Sequence, residues 1–244
     1  MSLSAEPEIL RCTLTASLLQ LKCLGQNLEE IEFMDKPDDE SSEFPVVPTS
    51  TVNSLHVVLS ALATLYILGA LDDRKGLTKN GRDMASLPLE PYLARVVLSA
   101  KELGCVREVL DIVSVLSSNS KLFYDSSDQR EAAAEARTKF RHPSGDHLTI
   151  LNVVRSFDEI AKTETNAGKK DWCQKSFLNF RCLTEAVAIR AQLREVCERM
   201  KIDWKVSCGE NEQPVLRSLV RGLVQNAAFL QPDGSYRQIG RAHV

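Results

Sequence analysis

The run Phe140-Arg141-His142-Pro143-Ser144-Gly145-Asp146-His147-Leu148-Thr149-Ile150-Leu151-Asn152-Val153-Val154-Arg155 joins a chain-breaking turn to an amphipathic helix. Pro143-Ser144-Gly145 interrupts any preceding helix, and Asp146 is a residue type that caps a new one by accepting an orphan amide. Beyond it Leu148, Leu151, Val154 and Phe157 recur at helical spacing, and Ile150 and Val153 widen the stripe. The spacing predicts a helix over 146–160 with one face in a core. Its other face carries Asn152, Arg155, Ser156 and Glu159, polar groups that a ligand could meet. An ordinary amphipathic helix with a solvated back would show the same pattern.

Working outward, the chain reads as almost entirely helical after Tyr92. Helices are expected at 93–103 and 106–116, separated by Gly104, and at 128–140, capped by Ser126 or Ser127. Residues 162–170 are polar enough to read as a loop. A short helix over 171–178 and a long one over 183–200 follow, with Arg190 standing inside the apolar stripe of the long one. Either its stem packs while its head reaches a partner, or a ligand passes beside it. Val215–Phe229 reads as one more helix, Gln231–Gly234 as a turn, and Ser235–Val244 as a strand.

Toward the N-terminus, a helix from about Pro7 to Leu24 stops at Gly25, and another over 51–68 stops at Gly69. Ala70-Leu71 and Leu77-Thr78 flank a charged turn and read as a small hairpin. A third helix, Lys79–Leu87, ends at Pro88. Helices followed by a small hairpin outline a winged helix. Residues 38–50, rich in Asp, Glu, Ser and Pro, read as a surface loop.

The net charge of −3 conceals an asymmetry. Residues 1–76 hold 5 basic and 12 acidic side chains, whereas residues 137–205 hold 14 basic and 9 acidic. A modest basic excess thus falls on the part containing the polar-faced helix, where a phosphate-binding surface would be expected. At 43% hydrophobic and 26% charged, the composition is that of a soluble globular protein. No apolar run reaches the ~18 residues of a membrane helix, and Met1 is not followed by a basic and then a hydrophobic segment. The seven cysteines are scattered without a CxxC pair, which suggests reduced thiols in an intracellular protein and argues against a zinc site.

No enzymatic constellation is present. The sequence has no GxxxxGK[ST] phosphate loop and no Asp-Glu-Ala-His box. Asp146 and His147 are neighbours, but consecutive helical residues point about 100° apart, which makes a poor acid–base pair. Trp172 beside Phe177 reads as core more readily than as a base-stacking platform.

Several runs resemble one family in order. Leu77-Thr78-Lys79-Asn80-Gly81-Arg82-Asp83-Met84-Ala85 with Pro88-Leu89-Glu90-Pro91, the Gly145–Val153 run, Asp171-Trp172-Cys173, Phe177-Leu178-Asn179, Arg181 and Arg190–Leu193 resemble the C-terminal region of DEAH/RHA-type RNA helicases. Phe33–Pro37 resembles a turn of that family, while the 38–50 insertion departs from it. The resemblance implies a mainly α fold. A winged-helix domain over 1–88 would precede a ratchet-like helical bundle over 89–205. A helix and the start of an incomplete OB-fold barrel would follow over 206–244. It implies RNA contacts at Asn152, Arg155, Asn179, Arg181 and Arg190, and a RecA-like ATPase motor lying outside this chain. The cofactors ATP and magnesium would belong to that motor, with none held here. Single-stranded RNA, the motor core and helicase cofactor proteins are the implied partners, with no membrane, in the nucleus or cytoplasm. A free-standing helical adaptor that binds proteins and ignores RNA is the alternative.

Overall fold

The computed structural model of the chain describes residues 14–26, 49–124 and 130–238. Among them are ten α-helices and one two-stranded antiparallel sheet, so the fold is mainly α. The helices are α1 (Thr15–Cys23), α2 (Thr49–Ile67), α3 (Lys79–Ala85), α4 (Pro91–Leu103) and α5 (Val106–Leu116). They continue as α6 (Arg130–Thr138), α7 (Asp146–Thr163), α8 (Asn166–Lys175), α9 (Phe180–Arg199) and α10 (Gln213–Gly222). The strands are β1 (Ala228–Leu230) and β2 (Tyr236–Gln238). Two compact units emerge, one of Met1–Leu98 with Leu219–Val244 and one of Ser99–Ser218.

In the first unit α1 packs against α2 and α3, burying Leu18, Leu19, Leu65, Leu68, Met84 and Leu87. Gly69, at φ +73°, ends α2 as expected. The expected hairpin is present in minimal form as an antiparallel bridge between Leu71 and Leu77. Asp72 organises its turn by accepting the amides of Arg74 and Gly76 at 2.9 and 2.7 Å. Thr78 then caps α3, its hydroxyl oxygen accepting the Gly81 amide at 3.0 Å. Gly81 itself faces the Ala70 carbonyl so closely that a Cβ there would lie 2.3 Å from the oxygen.

The expected helix over 215–229 ends early, at Gly222. A Cβ at Gly222 would meet the Tyr92 carbonyl oxygen at 2.3 Å, so the helix runs against the α4 backbone there. A 3-10 turn and β1 follow, and Phe229 is a strand residue. Leu230 pairs with Tyr236 across the expected turn, where Gly234 takes φ +81° and Asp233 accepts the Ser235 amide at 2.9 Å. β2 supplies 236–238 of the expected strand, and 239–244 lie outside the described residues, as do 1–13, 27–48 and 125–129. The first half of the N-terminal helix, the Phe33–Pro37 turn, most of the 38–50 loop and the Ser126/Ser127 cap fall there.

In the second unit the centre is α5. It packs against both α7 and α9, and Val106 to Val115 are buried save for Arg107. A second cluster joins Val153, Val154 and Phe157 of α7 to Cys173 of α8 and to Cys182, Leu183 and Ala186 of α9. Trp172 belongs to that cluster's edge, with its ring 6.0 Å from Phe140 in a T-shaped pair. It is a packing residue.

Two local expectations are corrected. Asp146 does not cap α7; Gly145 occupies the cap position at φ +120°, and Asp146 is the first helical residue. The turn is closed instead by the Ser144 amide donating to His142 Nδ1 and the Gly145 amide donating to the His142 carbonyl. Residues 162–170 are not a loop: α7 runs on to Thr163, and Thr165 caps α8 by accepting the Gly168 amide at 3.4 Å. A helix this polar has almost no apolar stripe to betray it, which is why its composition suggests a loop.

Candidate RNA interface

Five residues are expected to act together: Asn152, Arg155, Asn179, Arg181 and Arg190. The structure separates them into three settings. Asn152 and Arg155, three apart on α7, share a face and line one cavity of about 200 Å³. Asn152 donates through Nδ2 to the Phe140 carbonyl at 3.1 Å, tying the helix to the start of its own turn. Arg155 is 46% exposed, with Nη2 standing 3.6 Å from Glu108 Oε1.

Asn179 is the N-cap of α9, its Oδ1 accepting the amides of Arg181 and Cys182 at 3.0 and 3.3 Å. That commits its oxygen to the helix. Arg181 follows in the first turn and is exposed. A cation is disfavoured there by the positive end of the helix dipole, so its placement does nothing for helix stability. An anion brought to that turn would meet a guanidinium and the helix terminus together.

Arg190 is a different kind of residue. It is 7% exposed. Its Nη1 donates to Asp111 and to Asp158 at 2.7 Å each, and its Nη2 to the other oxygen of Asp158 at 2.7 Å. Burial works against its charge, but the hydrogen bonds to Asp158 and Asp111 outweigh that and hold the guanidinium above its ordinary value. Burial also raises the Asp111 carboxyl, with Arg190 opposing. Arg190 therefore braces α5, α7 and α9 from inside, with three hydrogen bonds to two carboxylates.

The cavity beside Asn152 and Arg155 was not legible in the sequence. It is walled by Leu148, Leu151 and Val215 and closed by the 208–212 loop. Two glutamates hold that loop down. Glu108 accepts the Ser207 hydroxyl and the Cys208 amide. Glu212 accepts His142 Nε2 and the Ser144 hydroxyl, both at 2.8 Å. Because His142 Nδ1 takes the Ser144 amide, the ring proton is on Nε2 and points at Glu212. Nothing in the spacing of Glu108 and Glu212, which are 104 residues apart, announces this clasp.

Nucleophilic or acid–base chemistry finds little support. Burial, with Glu108 adding to it, pushes the Cys208 thiol up to about 11. Burial alone does the same to Cys173. Burial holds the His147 imidazole below its ordinary value against the pull of Asp146. Among the described residues there is no His, Cys, Asp and Glu group that could hold a metal ion, and no helix is long and apolar enough to cross a membrane.

Comparison with known proteins fits this architecture. Residues 61–89 match the winged-helix part of the helicase associated domain (HA2), and residues 90–150 match its ratchet-like part. The human ATP-dependent RNA helicase DHX33 is 37% identical over 94% of this chain and 30% of its own length. The Arabidopsis thaliana pre-mRNA-splicing factor ATP-dependent RNA helicase DEAH10 is 36% identical over 99% of the chain and 32% of its own. The probable ATP-dependent RNA helicase DHX35 of Pongo abelii is 34% identical over 98% and 30%. The chain thus spans about a third of the length of the curated relatives it matches. It carries the winged-helix and ratchet-like parts of the helicase associated domain (HA2) and is similar along nearly its whole length to DEAH-box RNA helicases.

Proposed function

We propose that this chain is the accessory region of an RNA helicase, whose ratchet-like bundle lines the path of single-stranded RNA. Asn152 and Arg155 of α7 and Asn179 and Arg181 at the start of α9 would meet the strand. The observation that carries this is the contrast among the arginines. Arg190 is buried and spent on two carboxylates. Arg155 and Arg181 stand exposed, 5 and 31 residues beyond the segment that matches the ratchet-like part. Arginine suits phosphate oxygens by its planar fork, and asparagine suits base or sugar edges. The 228–238 hairpin would be the start of an OB-fold. ATP and magnesium would serve a RecA-like motor outside this chain, coupled through the winged helix. The setting would be nuclear or cytoplasmic.

The test is fluorescence anisotropy with a single-stranded RNA over a salt series. Arg155→Gln with Arg181→Gln should make the slope of log affinity against log salt shallower by about 1.4, from ~0.7 per lost phosphate contact. Arg190→Gln should leave that slope alone. An unchanged slope in the double variant removes these two residues from the RNA path, and indifference of the wild type to RNA favours a protein-binding adaptor.

A further inference from the structure

We propose that Phe177 and Tyr124 form a stacking platform for a base of single-stranded RNA, beside the phosphate contact assigned to Arg181. The inference rests on the RNA reading above and adds to it a contact that carries no charge. Phe177 ends α8 where glycine is usual. The Leu178 amide donates to the Cys173 carbonyl at 2.8 Å and the Phe177 amide to the Gln174 carbonyl at 3.2 Å, a closure that needs one left-handed residue. That residue is Phe177, at φ +54°. A bulky side chain is disfavoured there, and such outliers cluster where ligands are held. The turn itself gives no reason for a phenylalanine.

Neighbouring aromatics are spent on packing, and these two are not. Trp172 pairs with Phe140 and Phe157, and Phe180 pairs with Phe157. Phe123 and Leu178 form an antiparallel bridge, Leu178 buried and Phe123 packed against the same core cluster. Next to that bridge the Tyr124 amide donates to the Phe177 carbonyl at 3.1 Å, which sets the two residues side by side. Tyr124 is 51% exposed and Phe177 half-buried. Among the described residues neither ring has an aromatic or cationic partner. The charge nearby selects the occupant. The Arg137 guanidinium lies 5.1 Å over the Phe123 ring and donates through Nη2 to the Tyr124 carbonyl at 2.7 Å. Exposed Arg181 follows Phe177 by four positions. Exposed rings set among cations hold single strands without reading sequence, because every base has a π-face. An apolar peptide side chain would gain from the rings but nothing from the guanidinium groups.

The experiment is fluorescence anisotropy of the whole chain with an oligoadenylate, and separately with an abasic ribose-phosphate strand of the same length, each over a salt series. Tyr124→Leu and Phe177→Asn are the variants, asparagine being a residue that tolerates the left-handed conformation. Each should weaken the oligoadenylate about fivefold, the low end for one base on one ring. The slope of log affinity against log salt should stay that of the wild type, since no phosphate contact is lost. The abasic strand should bind all three proteins alike, and melting temperatures should stay within about 4 °C of the wild type. If Phe177→Asn fails to fold, Tyr124→Leu decides alone. Unchanged oligoadenylate affinity, or an equal loss on the abasic strand, overturns the platform and leaves the RNA reading in place. A loss of affinity that tracks a larger fall in melting temperature in both variants overturns it too, as the mark of packing residues. A wild type that ignores both strands overturns the RNA reading, and the platform with it.

Discussion

Arg190 shows how a charged residue is accommodated inside an apolar stripe. It lies in an apolar stripe, which suggests a special role, and the role is structural: it neutralises Asp111 and Asp158 across three helices. Removing one member of a buried ion pair leaves uncompensated charge, at a cost of about 3–5 kcal/mol. Asp158 is 36% exposed and can recover water, so Arg190→Gln should fall toward the low end, about 3 kcal/mol. Urea unfolding checks this, and a loss under about 1 kcal/mol, the range of a surface pair, would contradict the brace. His147 gives a pH dependence whose sign is fixed. Burial depresses its folded-state pKa from 6.5, so on acidification the unfolded chain takes up the proton first. This residue's contribution is therefore present above about 6.5 and lost as pH falls through the folded value. His147→Gln should flatten the decline in melting temperature between pH 7 and 5. An identical decline in the variant would mean that other groups own it.

At the scale of elements, two glycines of the winged helix separate crowding from backbone conformation. Gly69 sits at φ +73° with open space around its missing Cβ, whereas Gly81 has an ordinary φ and a carbonyl oxygen 2.3 Å from where Cβ would be. Gly69→Ala should cost about 1–2 kcal/mol, the strain of a left-handed residue with a side chain. Gly81→Ala should cost more, toward or beyond ~3 kcal/mol, because the hairpin backbone must shift to admit a methyl group. Thermal unfolding of the two variants side by side gives the order, and the reverse order would show that the hairpin yields easily. Elements with strong stripes were legible in the sequence: α5 spans the expected 106–116, and α2, α3, α7 and α9 come within a few residues of their expected bounds. Failures came where the stripe was absent or misleading. Polar α8 reads as a loop, and Leu223, Val224 and Ala227–Phe229 continue a helical pattern although the helix ends at Gly222, where its backbone lies against Tyr92. The candidate site was half legible. The polar face of α7 follows from periodicity, but the glutamate clasp that builds the cavity joins residues 68 to 100 positions apart and leaves no local trace.

For the whole molecule, the central question is what a chain spanning about a third of the length of its helicase relatives can do alone. Phosphoryl transfer is almost entirely positioning and charge stabilisation, so it needs a phosphate cradle and carboxylates that hold magnesium. The sequence offers neither the GxxxxGK[ST] loop nor the acidic box. Its exposed arginines could hold a phosphate but could not orient a water or a metal against one. A surface of that kind predicts binding without turnover. The purified chain should bind single-stranded RNA with salt-sensitive affinity, as proposed above, and release phosphate from ATP at the buffer rate whether RNA is present or not. A malachite-green assay with and without a saturating RNA oligonucleotide measures this. RNA-stimulated release from a clean preparation would require a nucleotide site built from residues that carry none of the expected signatures, and the accessory reading would fall with it. RNA binding with no release would instead assign the chemistry to the motor and leave this chain the task of holding the strand.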